Sequence, residues 1–158
     1  MFLLFTLGAT TGLFLSEELL TTFLFFEMMS LMSYVWVIHD ETKEAVKAAG
    51  TYLAVAVIGG LVMLMGLFLL YTMAGAGTGE KGYLLVDELR TMVLSHSSPG
   101  LLWPSALCLF IGFGAKAGAF PLHIWLPKAY PAAPAPASAL LSGMLTKAGI
   151  FGILIISC

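Results

Sequence analysis

Apolar residues run along this chain in long blocks separated by short polar interruptions, and the blocks have the length of a bilayer crossing. Leu19 to Ile38, Ala48 to Ala74, Leu101 to Leu122 and Ala137 to Ser157 each supply the roughly 20 mostly apolar residues that a transmembrane helix needs. A shorter block, Met1 to Leu15, ends at Ser16-Glu17-Glu18 and reads as a span cut short. No Lys or Arg precedes it and no convincing cleavage site follows, which argues against a signal peptide. The pattern predicts an all-α membrane protein. It forms a single transmembrane domain over residues 1–158, with about five transmembrane helices of which the first is truncated. Both ends read as the interior of a longer membrane protein.

The interruptions divide the blocks. His39 to Lys47 (HDETKEAVK) is a short charged connection. Gly75 to Gly100 is an extramembrane connection bounded by strong breakers, and within it Leu84, Leu85, Leu89, Met92 and Val93 recur at helical spacing, which predicts a short amphipathic helix at the interface. In the fourth block Gly112, Gly114, Gly118 and Pro121, followed by four more prolines, predict a helix broken near Gly118 to Pro121. Irregular backbone at that depth persists only where protein or a cavity satisfies its polar groups, a setting that transporters use for their sites. The fifth block reads as continuous.

Composition agrees with the pattern: 59% hydrophobic and 10% charged residues exceed the apolar content of an ordinary soluble domain, and mean hydropathy is +0.98. A net charge of −2 without a basic run sets nucleic acid aside. His39, His96 and His123 are far apart, and Cys108 and Cys158 lack CxxC spacing, so no metal site or cluster is expected. Gly112-x-Gly114 ahead of Lys116 is not the G-x-x-x-x-G-K-[ST] phosphate loop, and the chain shows no nucleotide, flavin or haem motif. No cofactor and no redox centre of its own are therefore expected.

Candidate chemistry lies in three ionisable residues set deep in apolar blocks: Glu27, Lys116 and Lys147. A lone charge at the centre of a bilayer costs about 2.5 kcal/mol or more, so it persists where it faces a partner or a hydrated path. The third block has no such residue and reads as a span built without any ionisable group. Glu27, Ser30 and Tyr34 fall at i, i+3 and i+7, giving the second helix a polar face. Lys116 sits just before the expected break, between Gly114 and Gly118, a small-xxx-small pair that lets another helix approach. A Glu–Lys pair of variable separation switches the lysine's protonation as it opens and closes. Ser138, Ser142 and Thr146 form a hydroxyl stripe beside Lys147, although such hydroxyls often bond only to their own backbone. His123 is a secondary candidate at the break. With alternating helices, Lys43, Lys47 and Lys128 share one side and Lys81 and Arg90 the other. That excess weakly favours cytoplasmic His39–Lys47 and His123–Pro136 connections.

The stretch GFGAKAGAFPLHIWLPKAYPAAPAPASALLSGMLTKAGIFG (Gly112 to Gly152), together with LLTTFLFFEMMSLMSY (Leu19 to Tyr34), closely resembles the antiporter-like membrane subunits shared by respiratory complex I, Mrp-type cation/proton antiporters and membrane-bound hydrogenases. The resemblance implies one inverted repeat of a larger bundle, with a broken fourth helix. It also implies that Glu27 is the acidic member of a Glu–Lys pair, Lys116 its partner and Lys147 the central lysine of the next helix. A tryptophan often precedes the acidic residue where this chain has Phe26. The function so implied is proton translocation by an antiporter-like subunit of a complex I-like NADH:quinone oxidoreductase or membrane-bound hydrogenase, in a prokaryotic cell membrane. Its partners would be other membrane subunits, further antiporter-like subunits among them, the lipid bilayer, protons and Na⁺. The alternatives are an Mrp-type Na⁺/H⁺ antiporter subunit and a non-transporting structural or assembly module.

Overall fold

The computed structural model describes residues 1–78, 86 and 99–157, and within these it is helical. Apart from Val86, the helix expected around Leu84 to Val93 lies outside the described residues, as does Cys158. The first helix, α1 (Phe2–Leu15), has 14 residues, about 21 Å of rise and thus short of a full hydrocarbon core. It is followed by α2 (Leu19–Ile38) and α3 (Lys43–Thr78). Four helices among the described residues are long and apolar enough to cross a membrane: Leu19–Ile38, Lys43–Met73, Gly100–Ala132 and Ala135–Ser157.

The charged connection between α2 and α3 is shorter than its sequence suggested. Thr42 caps α3, its Oγ1 accepting the Ala45 N–H at 3.1 Å, which satisfies one of the donors that a helix N-terminus leaves open. Glu44 follows in the first turn, where the helix dipole favours a carboxylate. Lys43, Glu44 and Lys47 therefore stand on helix, and only His39 to Thr42 connect.

The break in the fourth span falls where expected. Helix α4 (Pro99–Ala117) ends at Gly118, whose φ of 78° is open to glycine and strained for residues with a Cβ. The Ala119 N–H closes the end on Gly114 O at 2.8 Å. The chain then passes Pro121 into a 3₁₀ turn (Leu122–Trp125) and α5 (Leu126–Ala132). Gly114 and Gly118 do not serve helix approach: an added Cβ would meet Ala119 and Leu126 of the same span.

The fifth span is helical throughout but not uniform. It consists of α6 (Ala135–Leu140), a π-helical turn (Leu141–Leu145) and α7 (Thr146–Ser157). The span is continuous, as expected, with the π turn set inside it, and such turns concentrate at functional sites.

Neighbours in sequence pack side by side: α1 on α2, α2 on α3, α3 on α4 and α4 on α7. The ring closes where Phe14 of α1 meets Phe151 of α7 edge-on, centroids 4.7 Å apart. Inside it lie Phe26, Met29, Tyr52, Met63, Phe113, Trp125, Leu141 and Leu145. The outer faces carry Leu24, Leu31, Ile58, Leu61, Phe68, Leu107, Phe110 and Leu154, all exposed, an apolar envelope suited to hydrocarbon. Close approach rests on glycines. A Cβ on Gly112 of α4 would run into Met63 of α3, and one on Gly152 of α7 into the Phe113 ring.

Candidate functional site

The polar centre forms where α2, α3 and α4 meet. Along α3 a buried stripe of Ala48, Ala49, Tyr52, Ala56, Gly59, Gly60 and Met63 follows helical spacing. Its small members admit the neighbouring helices. A Cβ on Gly59 would fall on Ala115 of α4, and one on Gly60 would fall on the Glu27 carboxylate of α2. Glu27 thus rests against bare backbone. Its Oε1 is buried and has no hydrogen-bond partner among the described residues.

Lys116, one residue before the end of α4, is only 2% exposed. It lies within electrostatic reach of Glu27, yet the two are not in salt-bridge contact, the amine to carboxylate distance exceeding 4.0 Å. Instead Lys116 Nζ donates to the Tyr52 hydroxyl of α3 at 2.5 Å. The amine also stands 4.5 Å from the Tyr52 ring centroid, within cation–π range.

The direction of this chain of hydrogen bonds follows from counting protons. Ser33 Oγ donates to Ser30 O at 2.9 Å, which uses the only hydrogen a serine hydroxyl has. In its 2.6 Å contact with Tyr52 Oη, Ser33 must therefore accept. Tyr52 gives its single proton to Ser33 and turns a lone pair to Lys116. The order is Lys116 to Tyr52 to Ser33 to Ser30 O, four groups buried together.

Trp125 ties the break to this centre. Its Nε1–H donates to Ala115 O at 2.8 Å, and its ring lies 5.0 Å from that of Tyr52. The residue beyond the break thus grips both the turn that carries Lys116 and the tyrosine that receives it. Phe26, next to Glu27 on α2, packs edge-on to Phe113 of α4, centroids 5.2 Å apart.

Of the residues singled out from sequence, Glu27 and Lys116 converge here and the others do not. Tyr34 is half-buried and packs against the apolar core. Ser30 faces inward but donates to Phe26 O of its own helix. Lys147 and Ser142 are exposed on the outer face of the fifth span. Thr146 donates to Ser142 O, the backbone bond that is commonplace for such hydroxyls. His123 is exposed and stacks on Phe120 at 5.8 Å. Tyr52, Ser33, Gly60 and Trp125 were not legible as site residues. The third span, read as free of ionisable groups, contributes the phenol at the centre of the network. A signal existed in its stripe: a lone tyrosine among alanines and glycines on a face otherwise built for close contact.

The family model described as NADH:quinone oxidoreductase/Mrp antiporter, TM matches residues 16–158. The chain is 45% identical over 129 residues to Hydrogenase-4 component B of Escherichia coli, an alignment covering 82% of this chain and 18% of that protein. It is 31% identical over 153 residues to a subunit of the Na(+)/H(+) antiporter of Alkalihalophilus pseudofirmus, covering 97% of this chain and 30% of that protein. Among solved structures, the membrane-bound sulfane sulfur reductase, an archaeal respiratory membrane complex, superposes with a TM-score of 0.84 at 27% identity, over 96% of this chain and 30% of that one. The Mrp complex of Dietzia shares the fold with a TM-score of 0.84 at 24% identity, over 98% of this chain and 28% of that one. The chain thus spans about a fifth to a third of the length of these relatives.

Proposed function

Since the chain belongs to the NADH:quinone oxidoreductase/Mrp antiporter membrane family, as an integral membrane, antiporter-like subunit, we propose that it moves protons through an axis of Glu27, Lys116 and Lys147. The observation that carries this reading is a carboxylate and an amine set deep between helices, within electrostatic reach but out of contact, with the carboxylate's Oε1 unpartnered. An unpaired buried carboxylate oxygen is costly, so the arrangement favours a site whose partner comes and goes. When Lys116 moves onto Glu27 the pair closes; when it leaves, the carboxylate is open to a proton. Lys147, on the outer face of the fifth span, receives the proton next, where further protein of a larger subunit packs against it.

The subunit works within a multisubunit complex alongside other antiporter-like subunits. In this reading a redox partner drives it, and any electron transfer belongs to other subunits. The complex sits in a prokaryotic cell membrane with the His39–Lys47 and His123–Pro136 segments on the cytoplasmic side. The 31% identity to part of a Na(+)/H(+) antiporter supports a second reading, proton exchange for sodium.

Glu27→Gln, made in the full-length subunit within its complex, keeps the shape and removes the exchangeable charge. Proton uptake into inverted vesicles is expected to fall on the order of 100-fold, at the low edge of what a positioned proton carrier contributes, with the complex assembled in normal amount. Unchanged uptake would sink the axis. A sodium pulse that shifts vesicle pH without any electron donor would select the sodium-exchange reading.

A further inference from the structure

The Tyr52 hydroxyl has no place in a simple carboxylate–amine pair, yet it is the group that Lys116 touches. We propose that Tyr52, held by Ser33, is the seat that Lys116 occupies when it is away from Glu27, a positioning residue that keeps the pair open. The proposal rests on the transport reading only for its consequence. The geometry of the seat stands by itself.

Three observations support it. First, the seat is built to receive a donor: with its own proton given to Ser33, the Tyr52 oxygen offers Lys116 an acceptor, and the ring lies under the amine as well. Second, it is rigid. Tyr52 is 1% exposed, Ser33 fixes its hydroxyl, and Trp125 fixes its ring while bonding to Ala115 O next to Lys116. Third, seat and carboxylate lie at different depths on the same pair of helices. Glu27 faces Gly60, and Ser33 faces Tyr52. Six residues separate Glu27 from Ser33 along α2, a rise of about 9 Å. Lysine's flexible four-carbon stem, with three donors at its tip, suits a group that exchanges two partners so placed.

The polar groups facing Lys116 are thus a hydroxyl on one side and a carboxylate on the other. Without the hydroxyl, the amine's remaining side-chain partner among the described residues is Glu27. Tyr52→Phe should therefore close the pair, and closure can be read without measuring transport. A lipid-soluble carbodiimide reacts with a protonated carboxyl group in the membrane, adding the acid O–H across its N=C=N unit to give an O-acylisourea. A carboxylate paired with an ammonium is protected. In the full-length subunit within its complex, labelling of the Glu27 peptide measured by mass spectrometry should slow about fivefold in Tyr52→Phe. It should return to the wild-type rate or above in the Tyr52→Phe, Lys116→Ala double variant.

Ser33→Ala, a milder change that frees the Tyr52 proton, should slow labelling about twofold and stands in if Tyr52→Phe fails to assemble. Labelling unchanged in both variants would overturn the proposal. So would slowing that persists in the double variant, since it would reflect altered packing and not the lysine. Proton uptake in Glu27→Gln judges the transport reading separately, so either idea can fail while the other stands.

Discussion

Lys116→Ala in the complete complex is expected to lower proton translocation on the order of 100-fold, the scale for losing a group that both holds and hands on a proton, while the complex assembles in normal amount. The two halves of this expectation come from the same burial. Lys116 is 2% exposed and, among the described residues, has no carboxylate within 4.0 Å. Its amine therefore stays in the protein at a desolvation cost that neutral hydrogen bonds offset only in part. Removing it relieves that cost, while the loss of the methylene stem forfeits about 0.8 kcal/mol for each buried CH₂. The opposing terms leave stability near its starting point. Tyr52 still donates to Ser33, so no buried donor is stranded. Translocation has no such compensation, because the described part of α4 offers no second amine at that depth. Proton uptake by energised vesicles, set against the amount of assembled complex, checks both halves. Translocation retained within twofold would remove Lys116 from the pathway.

Gly149→Val should have the opposite profile, lowering stability through packing alone and touching no group of the proton path. A Cβ on Gly149 would come within 2.5 Å of Ala117 N and 2.8 Å of Phe113 O, both backbone atoms of α4. Backbone cannot rotate away as a side chain can, so α7 must lift off the helix that carries Lys116. Overpacking commonly costs about 1–3 kcal/mol and sometimes more, and a branched side chain against a helix backbone belongs at the upper end. Gly50→Ala provides the contrast, since nothing lies within 4 Å of its Cβ position and alanine is favoured over glycine inside a helix by roughly 0.5–1 kcal/mol. Thermal melting of the solubilised full-length protein should show a marked fall for Gly149→Val and no fall for Gly50→Ala. Equal melting temperatures would mean that α4 and α7 are not packed through this glycine.

These expectations show which features the amino-acid pattern discloses. Bilayer-length apolar blocks, the break after Gly118 and the depth of Glu27 and Lys116 follow from local rules: span length, backbone freedom and the cost of charge in hydrocarbon. Each can be read one segment at a time. The choice of Tyr52 over Tyr34 cannot, because it depends on how α3 is rotated against α2 and α4. That rotation is decided jointly by Gly59, Gly60, Ala115 and Met63. The same holds for the glycines: Gly114 and Gly118 carry the familiar spacing, but Gly112, Gly149 and Gly152 make the contacts. Spacing marks what could pack, and the partner helix determines what does.

The π turn at Leu141–Leu145 acts on angular register. Eight residues of uninterrupted α-helix would leave Thr146 about 80° around the axis from Ser138 and Lys147 about 180° from it. A π turn absorbs one extra residue, so everything beyond it sits about 100° further back. Thr146 then returns to within about 20° of Ser138, and Lys147 stands beside that face instead of opposite it. The wide turn thus behaves as a single-residue insertion that has been accommodated without lengthening the helix. Deleting one residue from it would restore the ordinary ladder and leave Lys147 pointing where it does now, whereas the same deletion in an uninterrupted helix would swing every later side chain to a new face.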